Sequence, residues 1–244
     1  QKEDIQVEGK GRATRYSLSA QAHLMMPLNI DTYFIKDVDE RKVQESFNFR
    51  LISEVLPKVT LFTPDEKIRL ESAHKEFLAN METLSDLEYR KEMERLGVDL
   101  SWKSSQIEGN TYSLLETERL LKEKQTAQGK TKEEAIMLLN HKDALDFILD
   151  NPDYLKELSV RRLEDIHSIL TKELGVGNGI RKRRVGITGT NYRPLDNEFQ
   201  IREALEDTCL LINGKENVFE KALLTLVLLS YIQAFTDGNK RTAR

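Results

Sequence analysis

Gln233-Ala-Phe-Thr-Asp-Gly-Asn-Lys-Arg-Thr-Ala-Arg244 is the stretch on which the reading of this 244-residue chain turns. The run before it, Ala222 to Ile232, is apolar apart from residues such as Thr225 and Ser230, and predicts a buried central helix ending near Gln233. A short loop then carries Asp237-Gly238-Asn239 before a new helix starts. Such a loop turns unpaired backbone N–H groups and the positive end of a helix dipole outward, toward an anion. Gly238 lets the backbone approach that anion closely, and the Asp237 carboxylate is the kind of oxygen that holds Mg²⁺ beside phosphates. Arg241 and Arg244, three apart, share a helix face and reach the same ligand. The arrangement describes a nucleotide polyphosphate site. The same spacing equally describes an ordinary loop before a solvated basic helix.

Upstream, the pattern is helical for most of the length from Asp39. Asn48 to Val55 predicts a helix stopping before Pro57; Thr63-Pro64 predicts a capped start to a helix running past Phe77; Leu87 to Gln106 predicts a second long helix. Ser113-x-x-Glu116 and Thr131-x-x-Glu134 are capping boxes. Ser159 to Leu174 reads as a helix closed by the glycines at 175, 177 and 179, and two more helices are expected near Asp196–Asn213 and Glu216–Gln233. Between them Val185 and Ile187 alternate before Thr188-Gly-Thr-Asn, which predicts a β-hairpin ended by Pro194. The expected class is therefore mainly α, a helical bundle with one β-hairpin.

Near the N-terminus, Gly9-Lys-Gly-Arg12 followed by alternating Thr14 and Tyr16 resembles the wing of a winged helix-turn-helix domain, a DNA contact in a longer chain; it equally reads as a flexible basic arm. Further on, Ser104-Ser-Gln-Ile-Glu108-Gly109 places Ser104 and Glu108 four apart on one helix face, with Gly109 closing the helix.

Composition narrows the function classes. With 39% apolar and 32% charged residues, the chain fits a soluble helix-rich protein rather than a disordered one. Lys and Arg number 37 against 41 Asp and Glu, so no overall basic charge argues for nucleic acid. One cysteine, Cys209, excludes an intramolecular disulfide framework and thiolate zinc clusters; it sits in an apolar helical pattern and reads as core. A reducing, cytoplasmic location is expected, and the longest apolar run is too short to cross a bilayer.

The Gln233–Arg244 segment resembles the signature of the Fic family, His-x-Phe-x-(Asp/Glu)-Gly-Asn-(Gly/Lys)-Arg-x-x-Arg, matching it at Phe235, Asp237, Gly238, Asn239, Lys240, Arg241 and Arg244. The resemblance implies the Fic helical bundle with the hairpin as its flap, and ATP with Mg²⁺ as cofactors. It implies that Phe235 anchors the loop, Asp237 holds Mg²⁺, and Gly238, Asn239, Lys240, Arg241 and Arg244 bind phosphates. Most members transfer AMP to a protein hydroxyl; the related Doc proteins, which also carry Asn-Lys-Arg here, transfer a phosphoryl group. The flap residues Val185, Gly186, Ile187 and Thr188 would dock the backbone of a target protein with a hydroxyl side chain, another protein or this one.

Ser104, Glu108 and Gly109 match the family's inhibitory motif (Ser/Thr)-x-x-x-Glu-(Gly/Asn), whose glutamate bridges the second signature arginine, here Arg244. The family histidine, a general base, is replaced by Gln233, which has no titratable nitrogen. His167 lies in a segment resembling a structural helix of the family, and His23, His74 and His141 read as surface or capping residues. The run Arg181-Lys-Arg-Arg184 reads as a lure for an acidic partner or as a solvated loop.

Three regions are expected: 1–24, the wing remnant or basic arm; 25–154, helical and carrying the inhibitory helix near 100–110; and 155–244, a Fic core whose signature helix would continue beyond Arg244. Besides an AMP-transferring enzyme, two readings stay open: a nucleotide-sensing, DNA-binding regulator without catalysis, and a Doc-like phosphotransferase. A homodimer also stays open; no membrane partner is expected.

Overall fold

The computed structural model describes residues 5–244. Strand β1 (Ile5–Glu8) pairs antiparallel with β2 (Arg15–Leu18), with Ile5 opposite Leu18 and Glu8 opposite Arg15. Every residue of both strands is exposed. Gly9, at φ +86°, makes the turn possible, because a Cβ there would lie 2.4 Å from the Ala13 carbonyl oxygen.

Short helices α1 (Ala20–Met25) and α2 (Ile30–Ile35) follow, capped by Ser19 and Asn29. The segment expected to stop before Pro57 instead continues. A wide π turn over Leu51–Val55 tightens into a 3₁₀ turn over Leu56–Lys58, because Pro57 sits in its first turn, where no N–H is needed. Helices α3 (Pro64–Glu82), α4 (Asp86–Ile107), α5 (Leu114–Glu123) and α6 (Lys132–Asp150) each begin with a complete capping box, Thr63/Glu66, Ser85/Glu88, Ser113/Glu116 and Thr131/Glu134. Gly109, at φ +92°, ends α4 as the sequence predicts.

Helices α7 (Val160–Leu170), α8 (Glu198–Gly214), α9 (Val218–Ile232) and the short α10 (Asn239–Ala243) complete the chain. The main core joins Leu163 of α7, Ile201 and Leu205 of α8, and Leu228 and Ile232 of α9 to Ile52 and Leu56. Cys209 is in it. Truncating a side chain buried like Leu228 costs about 2–5 kcal/mol. Helix α9 is not buried all round, since Leu226 and Val227 are exposed. The predicted helix over 159–174 is shorter than expected: its regular part ends at Leu170, where the Thr171 hydroxyl turns back to donate to the His167 carbonyl.

The hairpin expected around Val185, Gly186, Ile187 and Thr188 does not form: the one named sheet among the described residues is β1–β2. A turn survives at Thr188–Gly189, with Gly189 at φ +81°. The returning arm is taken elsewhere. Arg193 makes a parallel bridge to Ser46, and its N–H donates to the Glu45 carbonyl at 2.8 Å. Pro194, lacking an N–H, cannot continue a ladder, and Gly186 raises the entropy cost of ordering the outgoing arm.

Candidate functional site

Helix α9 ends at Gln233, whose φ of +53° is a left-handed conformation that costs a residue with a side chain some strain. The turn throws the chain into the loop 234–238. Phe235 is 1% exposed and stacks on His167 of α7, ring centroids 3.9 Å apart. The Asn239 side chain closes the loop on itself: its Oδ1 accepts from the Phe235 N–H and its Nδ2 donates to the Phe235 carbonyl, both at 2.8 Å. Gly238 sits at φ +78°, and a Cβ there would press to 3.2 Å from Thr171 Cγ2. Sequence and packing thus both demand glycine, and the first amides of α10 are left without intrahelical partners.

The two arginines take different places. Arg241 is buried: its Nη2 donates to Asp237 Oδ2 at 2.9 Å and its Nη1 to the Leu170 carbonyl. The Asp237 side chain is otherwise exposed, with Oδ1 unengaged. Arg244 turns toward α4: its Nη2 donates to Glu108 Oε1 at 2.7 Å and to the Ser104 carbonyl, and its Nε donates to Ser104 Oγ at 3.0 Å. Ser104 and Glu108 therefore share the face that the sequence assigns them.

One cavity of about 220 Å³ gathers most of the sequence-predicted residues. Gln233, Asp237, Gly238, Asn239 and Lys240 form one wall, Val185 to Thr188 another, and Glu108 closes it. Arg241 and Arg244 lie behind these walls, held by the contacts above.

With that geometry in view, residues 157–244 match the model of the Fic/DOC family. These residues form a Fic/DOC family domain. Over 146 residues the chain is 30% identical to protein adenylyltransferase fic-1 of Caenorhabditis elegans, covering 57% of this chain and 28% of that protein. It superposes on a solved Fic-1 fragment from the same organism with a TM-score of 0.59 at 24% identity, over 71% of this chain and 53% of that one. A Fic family protein of Desulfovibrio desulfuricans superposes with a TM-score of 0.60 at 18% identity, over 75% and 55% respectively. A Fic domain containing signaling protein of Bacteroides thetaiotaomicron gives 0.58 at 19%, over 68% and 65%. These likenesses establish the mainly helical fold. The chain spans about a quarter of the curated relative and between 53% and 65% of the three solved chains.

Other side chains of the Fic/DOC domain and its surroundings differ from the sequence expectation. His141 is buried, not on the surface. Its Nδ1 lies 3.2 Å from Ser101 Oγ, and that hydroxyl donates to the Gly97 carbonyl at 2.7 Å, so the imidazole carries its proton on Nδ1. Burial first, then the nearby Arg244 and Arg241 charges, push its pKa down to about 4. His167 sits in a structural helix as expected, its Nε2 2.9 Å from the Asp237 carbonyl oxygen, and burial lowers its pKa.

In the basic run, Arg183 and Arg184 are exposed but Arg181 is buried and offers nothing to an acidic partner. Missed altogether was the stack of Phe47, Tyr231 and Tyr192, neighbouring rings 4.8 Å apart, with the Tyr192 hydroxyl donating to the Tyr231 carbonyl. Its members come from distant parts of the chain, so no local pattern announces them. Among the described residues no three His, Cys, Asp or Glu side chains cluster as a metal site, and no helix is long and apolar enough to cross a membrane.

Proposed function

We propose that this protein binds ATP with Mg²⁺ and is built to transfer AMP to a Ser, Thr or Tyr hydroxyl of a protein, itself included. In this reading Glu108 is a brake in the same chain, and transfer is weakened or lost because Gln233 stands where the family has its base. The supporting observation is the single cavity that Gln233, the Asp237–Lys240 loop, the 185–188 segment and Glu108 line together. The likeness to the C. elegans adenylyltransferase agrees with it.

The residues present fit the metal. Asp237 Oδ1 is exposed and unengaged, a hard oxygen of the kind Mg²⁺ takes, leaving remaining positions to water and phosphate. Magnesium supplies neutralisation of phosphate charge. The amides of the first turn of α10 and the Lys240 ammonium face the same charge from the protein side, preorganised and needing no rearrangement. The 185–188 segment lays the target backbone across the cavity mouth and presents its hydroxyl. That oxygen forms a bond to the α-phosphorus as the bond to the pyrophosphate oxygen breaks, and the hydroxyl proton must leave.

Gln233 has no means of taking that proton. Its Nε2 donates to the Ser230 carbonyl at 2.6 Å, so the amide is turned back on its own helix end. A positioned base typically contributes about 10²–10⁴-fold, and that is the expected deficit.

Intact-mass analysis of Glu108→Gly after incubation with ATP and Mg²⁺, with Gln233 kept and with Gln233→His in parallel, tests this. An adenylyl adduct confined to the histidine protein supports it. Equal adducts on both refute the account of Gln233, and a phosphoryl adduct points to Doc-like chemistry. A second reading, a nucleotide-sensing DNA-binding regulator, is favoured by the exposed β1–β2 hairpin with Lys10 and Arg12 at its turn. It requires salt-dependent DNA binding that ATP alters.

A further inference from the structure

Arg181 is a buried cation that the transfer scheme above leaves without a role. It is 3% exposed, and among the described residues it makes no salt bridge to a carboxylate within 4.0 Å. All its hydrogen bonds go to backbone carbonyls. Its Nε donates to Gln233 at 2.6 Å, its Nη1 to Arg183 at 2.8 Å and its Nη2 to Leu195, while its own N–H donates to Ala234 at 3.0 Å. Burying a charge without a counter-charge is costly, and here burial lowers the Arg181 pKa from its ordinary value. A neutral side chain filling the same space would avoid that cost. What it would lose is the planar fork, which meets three carbonyls at once.

The identity of those carbonyls matters. Arg183 and Leu195 flank the segment 184–194, so one guanidinium clasps both ends of the loop whose residues 185–188 line the cavity. The third carbonyl belongs to Gln233, the residue at the position of the family base, held in a left-handed conformation. The loop has no strand ladder of its own to fix it. Its far arm is tied by the Arg193–Glu45 backbone bond and the Tyr192–Tyr231 stack, and its root by Arg181.

We infer that Arg181 is a positioning residue for the transfer reaction, setting the distance between residue 233 and the target-docking segment by clasping the carbonyls of residues 183, 195 and 233. This rests on the AMP-transfer reading. Its side chain reaches residues 183, 195 and 233 and none of Asp237 to Lys240, so its effect falls on the acceptor side and not on the nucleotide.

The test compares Arg181→Lys and Arg181→Met in the 244-residue protein carrying Glu108→Gly and Gln233→His. Three quantities are read: ATP affinity by calorimetry, adenylyl transfer by intact mass, and amide exchange by mass spectrometry. Losing hydrogen bonds from a charged donor predicts exchange about tenfold faster over 184–194 with α8 and α9 unchanged. ATP affinity stays level while transfer falls about tenfold or more, with lysine, which keeps the charge and part of the bonding, losing less than methionine. Unchanged exchange at 184–194, acceleration spread evenly through α8 and α9, or ATP binding that weakens in step with transfer would each overturn the inference. If the parent with Arg181 intact forms no adenylyl adduct, transfer to itself fails, while the exchange data still decide whether Arg181 clasps the loop.

Discussion

Glu108 and Arg244 stand 136 positions apart in the chain and meet at 2.7 Å. Ser104, one turn before Glu108 on α4, gives both its hydroxyl and its carbonyl to the same guanidinium. The contact is about three-quarters buried on both sides, so water screens it less than a surface pair. On the proposed ATP-binding reading it would have two effects at once. Arg244 would be occupied when a phosphate arrives, and a carboxylate would stand in the wall of the cavity that the phosphate enters.

Glu108→Gly should therefore tighten ATP binding. Freeing a partly buried, hydrogen-bonded arginine and removing a like charge is expected to gain about threefold to tenfold. Gly109 already carries the left-handed turn that ends α4, so the substitution leaves the helix terminus intact. Calorimetry with ATP and Mg²⁺ is the measurement. Unchanged or weaker binding would remove the brake from the account.

Gln233→His, made alongside Glu108→Gly, should raise transfer by about 10²–10⁴-fold over Glu108→Gly alone. The left-handed backbone at 233 is set by the end of α9 and by the Arg181 bond to its carbonyl, so a new side chain inherits the same position. A rate with histidine no higher than with glutamine would mean that the hydroxyl proton leaves by another route.

Much of this is legible in the sequence. The capping boxes at Thr131 and Ser113 and the proline start at Pro64 are local chemistry, satisfied within one turn, and the helices begin where they say. The loop at 237–239 was legible because glycine at one position and an amide at the next are each required by a specific contact. The hairpin was misread because alternation of Val185 and Ile187 describes a strand without naming its partner, and the partner arm is diverted to Ser46. His141 and Arg181 were misplaced for a related reason. Each is a polar residue whose burial is made possible by acceptors far away in sequence, Ser101 for one and residues 195 and 233 for the other.

Asn239→Ala removes both bonds that tie the loop to the Phe235 backbone and leaves a buried N–H and carbonyl unpaired. Destabilisation of about 2 kcal/mol or more is expected. Thermal melting should show it without ligand, and ATP binding should fall with it, since the same loop carries Gly238 and Lys240. Asn239→Asp is the informative companion. It keeps the acceptor for the Phe235 N–H but loses the donor and sets a charge against a carbonyl. An alanine protein as stable as the parent would show that the loop is held by its other contacts, the Phe235–His167 stack and the bonds to Asp237 and Ala234.

Acid stability should report on His141. Folded, its imidazole stays neutral down to about 4; unfolded, it takes up a proton near its ordinary 6.5. Over that window the unfolded chain binds more protons, so stability must fall as pH drops from about 6.5 to about 4 and be insensitive to this group above it. The gap corresponds to about 3 kcal/mol at most. Glu134 acts in a different window. Hydrogen bonds from the Thr111 side chain first, then from the Thr131 and Thr111 backbone, hold its carboxylate down to about 2, so its contribution is present above about 4.5 and is lost only in stronger acid. Urea midpoints at pH 7, 5.5 and 4.5 therefore separate the buried histidines from Glu134, and substitution assigns the share of His141. His141→Gln, which keeps an amide donor for Ser101 and cannot titrate, should flatten the slope between pH 6.5 and 4.5. If the slope persists in His141→Gln, another buried group carries it, and His167, whose pKa burial also lowers, is the next to replace.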